Sequence, residues 1–211
     1  MKINATKTQL LCINDNSTAR VKSYIDVEDS GRISSSEEMK IIGFTFGEKP
    51  TVKYHIDHTI IKFKKKLWML NHLKKANLDK NVLLKVYMSM LRPILEYCSP
   101  VYHPMLNCSM KEELEKMQKP ALKIIFGFDK EYAAILAENN IQSLEKRRED
   151  AFLNYATKLS NSERFKEWFP EQEHKTDLRQ RKKYREDFAR TNRLYNSPIY
   201  AMRRLLNEIN I

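Results

Sequence analysis

Hydrophobic residues along the chain follow a period close to two before residue 55 and a period of three to four after it. In the first part, three short runs, 10–13, 21–27 and 40–46, are apolar or alternate between apolar and polar residues, and turn-forming residues rich in Asn, Asp, Ser and Gly separate them. Short runs of this kind between turns are typical of strands. We therefore expect a small antiparallel β region at residues 1–54.

After residue 55, apolar side chains recur every three or four positions, which places them on one face of a helix. The first helix carries the stripe Ile56, Ile60, Phe63, Leu67, Leu70 and Leu73. Asp79 then suits the N-cap position of a second helix. That helix has two adjacent rows of period four, Val82, Val86, Met90, Ile94 and Cys98 beside Leu83, Tyr87, Leu91 and Leu95. Two rows predict a helix that is buried over a broad face.

Prolines predict where these helices bend or end. Pro93 lies inside the second helix and should kink it, while Pro100 and Pro104 should end it. A third amphipathic helix is predicted over residues 114–126. Pro120 lies within it, so a bend or a break is expected there as well.

The C-terminal part should be helical and basic. Gly127 is a predicted C-cap, a short helix should cover residues 131–139, and Ser143 should cap the helix after it. One face of that helix is predicted to carry Phe152, Tyr155, Ala156 and Leu159. The chain becomes polar and strongly basic after Pro170, and Met202, Leu205, Leu206 and Ile209 predict a small docking helix near the end.

These patterns predict an α+β fold that is mainly α. It would consist of a small N-terminal β region (1–54), a helical bundle (55–128) and a basic helical C-terminal region (129–211). The low glycine content, four in 211 residues, favours helices, because strand-and-turn architectures need more.

The charge balance indicates an anionic partner. Lys and Arg number 38 against 27 Asp and Glu, which gives a net charge of +11. On charge alone, nucleic acid and a membrane surface both remain open as partners. No apolar stretch approaches the roughly 18–20 residues that span a bilayer, and residues 1–14 lack a signal-peptide core. The three cysteines are odd in number and widely spaced, which fits a reducing compartment. We expect an intracellular protein that does not enter membranes.

Two basic segments are candidate nucleic-acid contacts. The first predicted helix carries Lys62, Lys64, Lys65, Lys66, Lys74 and Lys75, with no acidic residue between Lys62 and Lys75. The C-terminal segment carries Lys182, Lys183 and Arg185 among further basic residues. Phosphate contacts suit such a pattern, although a solvated charged face is the alternative. Tyr184, Phe188 and Tyr195 lie in the second segment and would either stack on unpaired bases or pack into the fold.

Cys98, His103 and Cys108 raise the question of a metal site. Structural zinc needs four ligands, and the sequence offers no fourth nearby, so no metal site is predicted. Cys98 lies on the apolar row and is expected to be a buried thiol. A thiol hydrolase is also disfavoured, because nothing supplies an oriented third group or an oxyanion turn.

Several segments resemble, in the same order, the C-terminal part of reverse transcriptases from LINE-like (non-LTR) retrotransposons. Residues 4–10 (NATKTQL) resemble motif D, and residues 40–46 (KIIGFTF) followed by 54–56 (YHI) resemble the motif E hairpin. The strongest similarity is that of residues 91–104 (LRPILEYCSPVYHP) to a segment of the thumb domain. Further resemblance is found in the segments 114–119 (LEKMQK), 121–125 (ALKII), 144–148 (LEKRR), 168–170 (WFP) and 193–198 (RLYNSP). Pro120 departs from the pattern, because a polar or basic residue is usual there.

The resemblance implies that residues 1–54 form the edge of a palm domain and residues 55–128 a thumb that clamps a template–primer duplex. Gly43, Phe44, Thr45 and Phe46 would then correspond to the primer grip, and Lys7 to the motif D lysine. Without a neighbouring nucleotide site, Lys7 is expected to be a solvated lysine and the hairpin to seat the sheet on the thumb.

The parent activity would be RNA-directed DNA polymerisation, in which carboxylates of motifs A and C hold two Mg²⁺ ions. Those motifs precede motif D, and the sequence contains no Asp-Asp pair. We therefore expect no catalytic residue, no cofactor and at most weak, salt-sensitive binding of RNA, DNA or an RNA–DNA duplex. The alternatives are an inert or interaction-only helical protein, and a polymerase completed by a separate polypeptide that carries the carboxylates. By analogy with the retrotransposon cycle, the protein would be nuclear or cytoplasmic.

Overall fold

The structure is a computed structural model that describes residues 4, 7–13, 24–27, 31–172 and 182–209. The chain divides into two compact units, Met1–Ile61 and Lys62–Ile211, and the division falls inside the first long helix. The described strands all lie in the first unit, and helices make up most of the rest. The predicted α+β, mainly α class is confirmed.

The first unit contains two antiparallel hairpins. The strands are β1 (Tyr24–Val27), β2 (Gly31–Ser34), β3 (Glu38–Ile41) and β4 (Phe44–Gly47), paired β1 with β2 and β3 with β4. The strand predicted at 10–13 is wrong, because Leu10 makes only an isolated bridge to Ser35. Its carbonyl accepts the Ser36 N–H at 2.8 Å, and residues 11–13 do not have strand conformation. Residues 21–23 and the predicted turn residues 29 and 30 lie outside the described residues.

The turn between β3 and β4 has two residues with positive φ, Ile42 at 48° and Gly43 at 81°. Two positive φ values characterise the primed two-residue turn, whose twist matches that of the strands it joins. Gly43 suits this conformation, whereas Ile42 is β-branched and strained in it. Ile42 is also 88% exposed, so no core packing offsets the strain.

The helices follow the predicted order. Their bounds are α1 (Lys53–Lys75), α2 (Lys80–Val86), α3 (Arg92–Glu96), α4 (Ser99–Tyr102), α5 (Cys108–Phe126), α6 (Tyr132–Glu138), α7 (Leu144–Ser160), α8 (Asn192–Tyr195) and α9 (Pro198–Ile209). Asp79 caps α2 by accepting the Asn81 N–H, and Ser143 caps α7, as predicted. Gly127 is the C-cap residue of α5, also as predicted. Among the described helices, none combines the length and apolarity needed to cross a bilayer.

The prolines agree with the prediction only in part. A π-helical turn (Tyr87–Leu91) interrupts the α-helix between α2 and α3, and Pro93 falls in the first turn of α3, directly after that irregularity. The chain leaves the helix at Tyr97, before Pro100 and Pro104, so these prolines do not end it. Each instead lies in the first turn of a following element, α4 or a 3₁₀ turn. Pro120 does not break α5, which continues to Phe126.

Only one of the two rows predicted on the second helix forms the core of the second unit. Its members Leu83, Tyr87, Leu91 and Leu95 are fully buried. Val82 and Met90 of the other row are exposed, which corrects the prediction of a broad buried face. Adjacent positions on a helix point about 100° apart, so a helix that packs through one row turns the neighbouring row towards solvent.

A second apolar cluster lies where α7 and α9 pack together. It contains Phe152, Ala156, Leu159, Phe169, Tyr184, Ala201, Met202 and Leu206. The predicted docking helix is confirmed in Met202 and Leu206, whereas Ile209 is exposed. Tyr155 is also exposed, because it lies next to the buried row of α7 and not on it. Residues 182–190 are not helical, contrary to the predicted helical tail, and 173–181 lie outside the described residues.

Candidate nucleic-acid interface

The lysines of α1 are not equivalent. Five of the six candidates, Lys62, Lys64, Lys65, Lys66 and Lys75, have exposed side chains. Lys74 is half-buried, and its Nζ donates to the Ile125 carbonyl at 3.3 Å, near the C-terminus of α5. Unpaired carbonyls at a helix C-terminus carry partial negative charge, so Lys74 stabilises the fold and is less available to a ligand.

Trp68 lies at the centre of the exposed basic face of α1, and the sequence pattern did not reveal it. Its indole is 65% exposed, which is unusual for a side chain of this size. At 3.6 residues per turn, Lys64, Lys65, His72 and Lys75 all lie within about 60° of Trp68 around the helix axis. We call these five residues the Trp68 face. Lys62 and Lys66 are exposed but lie outside it, more than about 100° from Trp68 around the helix axis.

His72 holds the Trp68 indole in place. The two ring centroids are 3.8 Å apart, and His72 Nδ1 lies 3.0 Å from the Trp68 carbonyl oxygen. The imidazole therefore supports one part of the indole while the rest faces solvent. An aromatic ring fixed in this way is a preorganised surface for stacking, since little rotamer freedom is lost on binding.

The lysines of the Trp68 face are all exposed. Within the described ranges, Lys64, Lys65 and Lys75 form no ion pair, and neither do Lys62 and Lys66. The C-terminal candidates differ. Lys182 pairs with Glu186 and Arg185 with Asp187, each at 2.8 Å, and Lys183 Nζ lies 5.2 Å from the Tyr184 ring. The structure thus separates an uncompensated basic face on α1 from a largely compensated C-terminal segment.

The aromatic residues of the C-terminal segment have different roles. Tyr184 is buried beside Phe169, so it packs into the fold and does not stack on a ligand. Phe188 is 87% exposed, and Tyr195 is about half-exposed with the Arg204 guanidinium 3.6 Å from its ring centroid. Of the three, only Phe188 and Tyr195 present ring surface to solvent.

The motif E-like hairpin packs against the first turn of α1. The Phe44 ring stacks on the buried His55 ring with centroids 4.2 Å apart, and the Thr45 N–H donates to His55 Nδ1 at 3.4 Å. Lys7 is exposed, in a turn where its N–H donates to the Asn4 carbonyl at 3.1 Å.

Cys98, His103 and Cys108 do not assemble into a metal centre. Within the described residues, no group of three metal-ligating side chains lies close enough to hold an ion. Cys98 is half-buried, in place of the predicted buried thiol, because its left-handed φ of 59° belongs to the break after α3. Burial, with help from the positive charges of Lys111 and Arg148, lowers the pKa of His103 to about 4.

Polar residues of the second unit bind one another. Arg147 of α7 pairs with Glu96 of α3 through two guanidinium donors, Nε and Nη2. Gln118 accepts from the Tyr87 hydroxyl at 2.8 Å and donates to the Gln142 carbonyl at 3.2 Å. These residues therefore form a buried scaffold and do not line an open site.

Comparison with protein-family models, with curated proteins and with solved structures finds no match to this chain.

Proposed function

We propose that this chain binds single-stranded RNA or DNA, weakly and in a salt-sensitive manner, through the Trp68 face. The observation that carries the proposal is the exposed, His72-supported indole among Lys64, Lys65 and Lys75. Lysines bind phosphates without regard to sequence, and an aromatic ring stacks on any unpaired base. Side chains of both kinds on one helix face are typical of proteins that bind single strands.

The order of the reverse-transcriptase-like segments supports nucleic acid as the ligand, although it does not distinguish a single strand from a duplex. In this proposal, residues 55–128 correspond to a thumb domain, and the protein contributes grip on the nucleic-acid backbone. The absence of an Asp-Asp pair from the 211 residues leaves binding as the proposed role of this chain, because synthesis needs paired carboxylates for Mg²⁺.

The test measures binding of a fluorescein-labelled single-stranded RNA and of the matching duplex by fluorescence anisotropy across a salt series. For three phosphate contacts, log Kobs should fall against log salt concentration with a slope of about −2 for the single strand. The variant K64Q/K65Q/K75Q should lose most of that slope. If binding is absent even at low salt, the chain is the inert or interaction-only protein described above.

A matched control removes the same charge elsewhere on the second unit. K116Q/K146Q/K166Q replaces three lysines that already pair with Glu112, Asp150 and Glu163. It should leave the salt slope almost unchanged. Equal loss in both triple variants would show that binding follows net charge and not the Trp68 face.

The stacking contribution is tested separately. Trp68→Ala should weaken single-strand binding by about 1–3 kcal/mol, the typical contribution of one stacked base, and should affect the duplex much less. Phe128→Ala removes another exposed aromatic ring and should change neither affinity.

A further inference from the structure

A small cavity opens at the surface of the second unit between α8, α9 and the extended segment before them. Its volume is about 250 Å³, and its lining includes two acids, two arginines and three aromatic rings: Glu186, Asp187, Arg203, Arg204, Phe188, Tyr195 and Tyr200. We infer that this cavity receives one unpaired nucleobase of a single strand, with the adjoining phosphate on Arg204. The inference rests on the proposed function for its class of ligand but concerns a different surface.

Three aromatic rings supply stacking surface. Phe188, Tyr195 and Tyr200 all line the cavity, and the Phe188 ring is almost wholly in solvent. Exposing an apolar ring to this extent has no benefit for folding, since it buries almost nothing. If the Phe188 ring stacked on a base, one face of the ring and one face of the base would be buried.

Arg204 brings a cation to the rim of the cavity, where the Glu186 carboxylate also lies. Its guanidinium stacks on Tyr195, and its Nη1 donates to the Tyr195 carbonyl at 2.7 Å. In the part of the chain that the structure describes, Arg204 forms no ion pair. Its remaining donors suit a phosphate next to a base that stacks on the same aromatic wall.

Hydrogen bonds fix the backbone and side chains beside the cavity. Arg203 is 8% exposed, and its donors reach the Trp168 carbonyl at 2.7 Å and Asp187 Oδ2 at 3.1 Å. Asn207 of α9 both accepts from the Tyr184 N–H and donates to the Tyr184 carbonyl, each at 2.9 Å. These bonds anchor the segment that carries Phe188 to α9, so the cavity exists before any ligand binds.

Size and charge both favour a single base. The cavity is smaller than the roughly 300–1,000 Å³ of sites for drug-sized ligands, so a dinucleotide would not enter it. Aromatic rings beside acids also bind methylated ammonium groups, but here both acids already pair with cations, Glu186 with Lys182 and Asp187 with Arg185 and Arg203.

Photocrosslinking tests the inference directly. A single-stranded RNA containing 5-iodouridine is irradiated with the full-length protein, and crosslinked peptides are mapped by mass spectrometry. We expect crosslinks at Phe188, Tyr195 or Tyr200, and expect Phe188→Ala to reduce them strongly. Crosslinks confined to Trp68, or no crosslink at these three residues, would overturn the inference.

Affinity supplies a second readout. An oligonucleotide with abasic positions keeps its phosphates and loses its bases. The affinity for the intact oligonucleotide divided by the affinity for the abasic one therefore measures the contribution of the bases. Phe188→Ala should reduce that ratio by about fivefold or more, whereas Phe128→Ala, which removes another exposed Phe, should not. An unchanged ratio in Phe188→Ala would contradict the inference.

The two proposals fail in different ways. If the Trp68 face does not bind RNA, K64Q/K65Q/K75Q will bind RNA normally while the crosslink at Phe188 persists. If the cavity does not bind a base, the salt slope will still depend on the lysines of α1, and Phe188→Ala will change neither the crosslink nor the ratio of intact to abasic affinities.

Discussion

Arg147 of α7 and Glu96 of α3 form a two-point ion pair between positions 51 residues apart in the chain. Both side chains are mostly shielded from solvent, and Arg92 Nε lies 3.7 Å from the same carboxylate. A bidentate contact between a guanidinium and a carboxylate fixes relative orientation as well as distance. The pair thus joins α3 and α7, two helices that are far apart in the sequence.

Breaking this pair should destabilise the second unit. Arg147→Met or Glu96→Gln is expected to lower the free energy of unfolding by about 1–3 kcal/mol, because each leaves a partly buried charge without its partner. Urea denaturation of both single variants and the double variant would give a coupling energy of about 1 kcal/mol or more. The exposed pair Lys116–Glu112 should give about 0.5 kcal/mol or less in the same cycle. Strict additivity at Arg147 and Glu96 would refute the prediction.

A buried hydrogen bond inside the core should matter to a similar degree. The Tyr87 hydroxyl donates to Gln118 Oε1, and both side chains are fully buried. Burial raises the pKa of Tyr87, so the hydroxyl stays protonated as a donor. Tyr87→Phe should cost about 1–3 kcal/mol in urea denaturation, because Gln118 is left with an unsatisfied acceptor. Tyr155→Phe, at an exposed position, should be neutral, and equal effects of the two changes would exclude this role for the bond.

Stability should fall in mild acid because of His103. Its folded pKa is about 4, below the ordinary value of about 6.5 expected in the unfolded chain. Between these values the unfolded state binds more protons, so the free energy of unfolding decreases as pH falls from about 6.5 to about 4. His103→Gln should remove this component of the pH dependence, about 1–2 kcal/mol after allowance for partial exposure of the ring. Parallel pH profiles of wild type and His103→Gln would contradict the assignment, and His72→Gln serves as the exposed control.

The β3–β4 turn offers a stabilising substitution. Asn tolerates the left-handed conformation that Ile42 adopts at φ 48°, so Ile42→Asn should stabilise the hairpin by about 0.5–1 kcal/mol. Amide hydrogen exchange at β3 and β4 should slow accordingly. Ile41→Asn makes the same chemical change within the strand and should speed exchange. Faster exchange in Ile42→Asn would show that the Ile42 side chain stabilises the turn.

The sequence alone determined the local features of this protein. The change of period near residue 55, the caps at Asp79 and Ser143, and the fold class all follow from side-chain spacing and backbone preference, which act within a few residues. Net charge is likewise a property of composition. Such features depend little on which surfaces meet, so they were predicted correctly.

The tertiary structure decided which of several equivalent positions became buried, paired or exposed. Leu83 and Val82 are indistinguishable in the sequence pattern, and only packing selects the row of Leu83. In the same way, packing places Lys74 against the C-terminal end of α5 and leaves Trp68 exposed to solvent. A helical period specifies the direction in which each side chain points from the helix axis. The surface against which that helix packs is formed by residues tens of positions away in the sequence.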